Sequence, residues 1–304
     1  MTLRKKILGI LILAFSLISA AIFFIIQTWK SSLREGLEGQ ANVALSQQAN
    51  ILSDKILDGR RMLRILAMDD HLADTNIELI RLKLRQWSEE KTLFESFYYD
   101  TMESDVYPPT GPTLSVRDRD YFPRIQAGKE IIGAPIISRH TGKAVLLLTS
   151  PVRDIAGQLH RALAGTLMIQ EIITRVTSGR ELNHGANMYL FDTQGRALGS
   201  ADTSFNTELE VVSQEKSPMA FALWMVVQRA NNPKISAVQK TKAILNNKEI
   251  IAHFISIPEL HWYLVHTQSV TELMAPMHKA LIFSFSIIAL LFYFAGYYFS
   301  YLKG

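Results

Sequence analysis

The chain contains no cysteine. Disulfides and thiol chemistry are excluded, which fits an oxidising compartment without demonstrating one. It also lacks any stripe of Lys and Arg interleaved with aromatics. Its 32 basic residues are scattered among 28 acidic ones, for a net charge of +4. Nucleic acid is therefore not an expected partner. No Gly-x-Ser-x-Gly elbow, P-loop or His-Glu-x-x-His motif is present, and each of those carries its chemistry through a fixed spacing. The histidines, among them His140, His160, His253 and His266, lack metal-ligand spacing. No pair of carboxylates is marked out for acid–base work. These residues are expected to hold no catalytic domain, cofactor or metal.

What the chain does have is a long apolar run at each end. Ile7 to Ile26 is interrupted only by Ser16 and Ser19, and Arg4, Lys5 and Lys6 precede it. About 20 such residues span a bilayer as a helix, and the basic flank places the N-terminus in the cytoplasm. The competing reading is a cleaved signal peptide with a site near Ser19-Ala20-Ala21. The run continues five residues past that point, longer than a signal h-region of about 7–15 residues. Leu281 to Tyr301 is the second run, with Tyr293, Tyr297, Tyr298 and Tyr301 toward its end, where aromatics prefer the membrane interface. The expected topology is two-pass, with membrane helices at 7–27 and 281–301. Residues 28–278 then lie outside the inner membrane, with both termini in the cytoplasm.

Between the runs the pattern is mixed helix and strand. Apolar residues recur every three or four positions from Gln27 to about Ala67 without a proline, which predicts one long helix. Gly36, Gly39 and Gly59 each weaken it by about 1 kcal/mol. That helix lies on its own sheet, on a partner helix from a second copy, or on both. A second helix is predicted over Asn76 to Lys91, and a first strand over Leu93 to Tyr99. Pro108, Pro109, Gly111 and Pro112 predict a loop from Asp100 to Pro112. A shorter unit begins at Asn187 and closes with strands Gln239–Leu245, Glu249–Ile255 and Trp262–His266.

The most informative stretch is Ser115 to Gly157. It opens with Arg117, Asp118, Arg119, Asp120, Tyr121 and Phe122, passes through a short helix from Pro123 to Gly128, and ends in a hairpin turning at His140-Thr141-Gly142-Lys143. Cationic and aromatic groups thus sit on a loop held by a sheet, where ligands are usually met.

RDYF, AGK, IGAP, SRHTGK, VLLLTSPVRD and the later AGTLMI resemble the membrane-distal module of a double Cache domain. This is the extracytoplasmic sensor of bacterial chemoreceptors, histidine kinases and diguanylate cyclases, and the RDYF and TGK spellings look most like those found before cyclases. The resemblance implies an α+β fold: a long N-terminal helix and two PAS-like antiparallel-sheet modules, about 76–175 and 186–270, flanked by two transmembrane helices. It implies an inner-membrane receptor that binds a small extracytoplasmic ligand and signals across the membrane, as a homodimer through the N-terminal helix. Alternatives are the front part of a longer cyclase, kinase or chemoreceptor, or an anchored protein-interaction subunit. The family's Arg-x-Trp-Tyr segment falls on Arg119, Tyr121 and Phe122, with Tyr99, Arg117 and Arg139 as further candidates for ligand contact. Arg suits a carboxylate because its guanidinium presents two parallel donors. The family's tyrosine in the hairpin is Ile136 here. The aspartate expected between Ala162 and Gln170 to meet a ligand amine is absent. A carboxylate without an amine, or another small anion, is the ligand so implied. The competing role for Arg119 is a salt bridge to Asp118 or Asp120.

Overall fold

The structure is a computed structural model. It describes residues 3–73, 76–90, 93–154, 156–177, 186–200, 218–232, 237–245 and 248–301, with 209, 213 and 215 between them. Helix α1, Leu3–Leu66, is continuous from the first apolar run into the amphipathic stretch. Leu45, Ala49, Leu52, Ile56 and Leu63 form its buried face, at the three- and four-residue spacing of one helix side. Full burial of each such Leu or Ile contributes about 1.5–3 kcal/mol. A 3-10 turn at Asp70–Ala73 follows. Helix α2, Ile77–Glu89, starts where the Asn76 side chain accepts from the Glu78 and Leu79 amides, and it buries Ile80, Leu84 and Trp87.

The first sheet comprises β1 (Ser96–Thr101), β2 (Asp105–Tyr107), β3 (Leu114–Ser115), β4 (Ile131–Ile137), β5 (Ala144–Arg153) and β6 (Leu159–Met168). Its order is β3-β2-β1-β6-β5-β4, with every pair antiparallel. The stretch expected as loop from Asp100 to Pro112 therefore contains the end of β1 and all of β2. The prolines lie beyond β2, where no ladder bond is lost. The short helix α3 runs Phe122–Gln126, with Pro123 in its first turn, where a missing N–H costs nothing.

Helix α4, Ile169–Thr177, leads to the second sheet: β7 (Ala186–Asp192), β8 (Ala197–Ser200), β9 (Gln239–Leu245), β10 (Lys248–Ile257) and β11 (Trp262–Ser269). Its order is β8-β7-β11-β10-β9. Helix α5, Pro218–Ala230, covers the face made by Phe191, Ala252, Phe254 and Val265. Helix α6, Val270–Tyr301, continues from β11 and passes through Pro276 without ending.

Both sheets share one core. The buried side of α1 packs with Phe97, Tyr99, Leu148 and Leu163 of the first sheet and with Leu190, Ile255 and Leu264 of the second. Glu130 ties the first module to α1, accepting from Arg60 at 2.8 Å and from Arg64 at 2.8 and 2.9 Å. Where side chains are described, no helix is long and apolar enough to cross a membrane. The runs 7–26 and 281–301 both include residues outside that set.

Candidate functional site

The alternation of β1 decides what reaches the site. Phe97 and Tyr99 point into the α1 and α2 core, so Tyr98 and Asp100 point to the opposite face. There a cavity with about 430 Å³ of empty space, part of it open to solvent, lies on the first sheet. Tyr98 and Asp100 of β1, Leu147 of β5, and Ala164 and Thr166 of β6 line its sheet side. Val106, Leu114 and Val116 form one apolar wall, and Arg119 and Tyr121, just ahead of α3, another. Ile136, Ser138, Arg139 and His140 close the side formed by β4 and its turn.

Three of the six residues singled out from sequence meet in this cavity: Arg119, Tyr121 and Arg139. The other three do not line it. Phe122 is 5% exposed and packs in the core beneath α3 with Ile125 and Ile131. Tyr99 is on the wrong face of β1: its hydroxyl donates to the Leu72 carbonyl and accepts from Arg161 at 2.7 Å. Arg117 is exposed at the turn after β3, outside the cavity lining.

The competing role for Arg119, a bridge to Asp118 or Asp120, gives way to another pairing. Asp118 is taken by Arg139 at 2.5 Å, and Arg139 also donates to the Ser115 carbonyl. That hydrogen bond holds the Asp118 carboxyl below the usual range. Arg119 instead donates one Nη to the Ile137 carbonyl at 2.9 Å. Its Nε is buried with no hydrogen-bond partner among the described residues. The arginine is thus held from behind by β4, with a buried donor unspent.

Asp100 is the functional candidate that sequence reading missed. It is 3% exposed and pairs across the ladder with Ala162 of β6. Burial pushes its carboxyl up to about 7, and no hydrogen bond or cation among the described residues offsets that burial. Burial, and then the Asp100 charge, drive the Tyr121 hydroxyl well above the usual phenol range, while Arg119 opposes them. Tyr121 therefore stays a neutral hydroxyl in reach of both charges. On the rim, Tyr98 Oη is 3.2 Å from His140 Nδ1. One small space thus holds a cationic donor, an unpaired carboxyl, hydroxyls and an apolar wall. That set can orient a small polar molecule.

No protein-family model and no curated protein matches the sequence. Solved structures do match in shape. The ligand-binding domain of the Campylobacter jejuni chemoreceptor Tlp3, in complex with 4-methylisoleucine, aligns over 81% of this chain and 96% of that one, at 12% identity and a TM-score of 0.60. The ligand-binding domain of the Pseudomonas fluorescens chemoreceptor CtaA, in complex with L-isoleucine, aligns over 82% of this chain and 98% of its own, at 17% identity and a TM-score of 0.58. The CtaA domain with L-serine gives 18% identity, 78% and 98% coverage and a TM-score of 0.56. The fold is that of a double Cache sensor domain. In double Cache terms the cavity belongs to the first of the two sheet modules, the one built on α2 and β1 to β6. At these identities the likeness is one of fold, so the chemistry of the cavity has to be argued from its own residues.

Proposed function

We propose that this chain is the sensory part of a bacterial inner-membrane receptor and binds a small extracytoplasmic molecule in the cavity beside Arg119. The observation that carries this reading is the cavity itself: about 430 Å³, with an unspent buried Arg119 donor and an unpaired Asp100 on its walls. The bound amino acids of the Tlp3 and CtaA domains support a ligand of similar size. The two apolar runs are read as membrane anchors, with the sheets between them on the outer side. Ligand-driven movement of the first sheet would then reach the membrane through α1 and α6. The outward face of α1 leaves Val43, Ile51 and Ile65 exposed at helical spacing, which supports a homodimer through this helix.

The test is binding on the purified chain. A screen of organic acids, amines, amino acids and nucleobases by thermal shift identifies a ligand, because binding stabilises the folded state by mass action. Arg119→Ala is expected to weaken that ligand by roughly ten- to a hundred-fold, since a charge-assisted contact is worth about 1.5–3 kcal/mol. Arg119→Lys rescues little, because a point charge cannot reproduce the planar fork. Arg119 also holds the Ile137 carbonyl, so the melting temperature of the empty variants is the control. Unchanged affinity in a folded Arg119→Ala chain removes Arg119 from the site.

A further inference from the structure

We propose that His253 and His266 form an acid-sensitive latch between α1 and the second sheet, closed while both rings are neutral and released when they take up protons. The inference concerns the second module and does not depend on a ligand in the first. The two histidines stand directly opposite each other on β10 and β11. They belong to the side of the sheet that meets α1, because Ile255 and Leu264, two residues away on each strand, lie in the core shared with that helix. The next row down is thus a pair of imidazoles with ring centroids 6.3 Å apart. Aliphatic side chains would fill the same place without burying a polar atom.

The hydrogen bonding leaves one nitrogen of each ring unspent. His253 is 0% exposed, and its Nδ1 meets Asn42 Oδ1 of α1 at 2.8 Å. A carbonyl oxygen only accepts, so Nδ1 carries the hydrogen and Nε2 the lone pair of the neutral ring. That Nε2 and the Nδ1 of His266 are both buried with no hydrogen-bond partner among the described residues. In an imidazolium both nitrogens carry protons, so each of these atoms would become a buried donor without an acceptor. The charged groups facing the pair are Glu38 on α1 and Lys240, which stands opposite His253 on β9. On the other side, Met188 of β7 stands opposite His266. Glu38 and Lys240 bond each other at 2.6 Å. Glu38 favours a charged His253 and Lys240 opposes it. Among the described residues no third side chain joins the two rings to hold a metal ion, which leaves the proton as the species they take up.

Burial keeps both rings below the ordinary histidine value of 6.5, and the charge of His253 adds to it at His266, which is lowered to about 4. Above 6.5 both rings are neutral whether α1 is docked or not, and the contact is at full strength. Below it, an undocked ring returned to water takes a proton that the docked ring refuses. Each histidine then shifts the balance toward release by up to about tenfold per unit of pH, until the docked ring titrates too, at about 4 for His266. Because α1 is continuous with the first apolar run, release frees the segment that leads to the membrane in the receptor proposed above.

The chain has no cysteine, so a single introduced thiol reports opening of the place it occupies. The experiment uses the purified full chain carrying Ala41→Cys, beside Asn42, or Ala67→Cys, just past the far end of α1; both alanines are buried. Modification by a dipyridyl disulfide is followed from about pH 7.5 to about 4.5, relative to the same thiol in the unfolded chain, because it tracks the population of the open form. Expected is a rise of roughly tenfold or more at position 41, with position 67 changing by less than about twofold. The rise is expected to vanish in His253→Gln/His266→Gln, whose amides stay neutral. An equal rise at both positions is acid unfolding of the whole chain and overturns the latch. A flat profile at position 41, or a rise that survives the double substitution, overturns it as well. Comparing the two positions needs no histidine variant, so the test survives misfolding of that variant. None of these outcomes bears on the cavity, whose sensory reading falls only with the ligand screen.

Discussion

Asp100 and Tyr99 are adjacent in sequence and opposite in role, and a one-residue difference in facing separates them. The stretch Phe97-Tyr98-Tyr99-Asp100 is buried on both faces, so no hydrophobic alternation marks the cavity side. Pairing of Asp100 with Ala162 settles it. The same burial gives a pH prediction. Between 3.8 and about 7 the folded chain keeps the Asp100 proton that the unfolded chain has lost. Folding stability from this group is therefore full below 3.8 and falls as pH rises through about 7. Asp118 and Glu130, held low by their arginines, act in the other direction, but they are common to both chains compared. The melting temperature of Asp100→Asn minus that of wild type is expected to be near zero at about pH 4 and to rise by several degrees toward about pH 8. Calorimetric scans across that range check it, and a difference independent of pH would mean that Asp100 is not buried as an uncompensated acid.

At the scale of elements, long periodic segments were legible and short edge strands were not. The range read for β9, Gln239–Leu245, is the one observed, and the predicted N-terminus of α2 begins at the Asn76 cap. β2 and β3 escaped because three and two residues carry no period, and because prolines and a glycine surround them. The glycines of α1 and β6 divide by environment. A Cβ on Gly39 would meet nothing within 4 Å, whereas one on Gly165 would stand 2.5 Å from the Phe94 ring. Gly39→Ala is therefore expected to stabilise by up to about 1 kcal/mol through helix propensity. Gly165→Ala is expected to cost about 1–3 kcal/mol, because Phe94 has to leave its packed position between α1 and the sheet. Chemical denaturation of both variants checks the opposite signs. Equal effects would mean that β6 yields where the close contact forbids it.

For the whole molecule, α1 runs along both sheets and α6 leaves the second sheet directly from β11, so both sheets connect to the two apolar runs without a separate linker domain. Alkaline phosphatase fused after Ser269 is expected to be active in a Gram-negative host, and the same enzyme fused after Tyr301 inactive. Activity of both, or of the second alone, would overturn the two-pass topology. At Gly133, with φ at 65°, the bulge in β4 brings the backbone against Trp262 at the start of β11. β4 also carries Ile136 at the cavity, so the cavity wall and the strand leading to α6 are one contact apart. The α+β class, the long helix, the main strands along the chain and the stretch that holds Arg119 and Tyr121 are legible in the amino-acid sequence. Those follow from hydrophobic period, turn residues and local spelling, all of which are properties of neighbours along the chain. That Asp100 and not Tyr99 faces the cavity, that Arg139 takes Asp118, and that Phe122 is core emerges from the folded chain alone. Each depends on which residue of a distant strand stands opposite, and register across a sheet is set by packing between segments far apart in the chain.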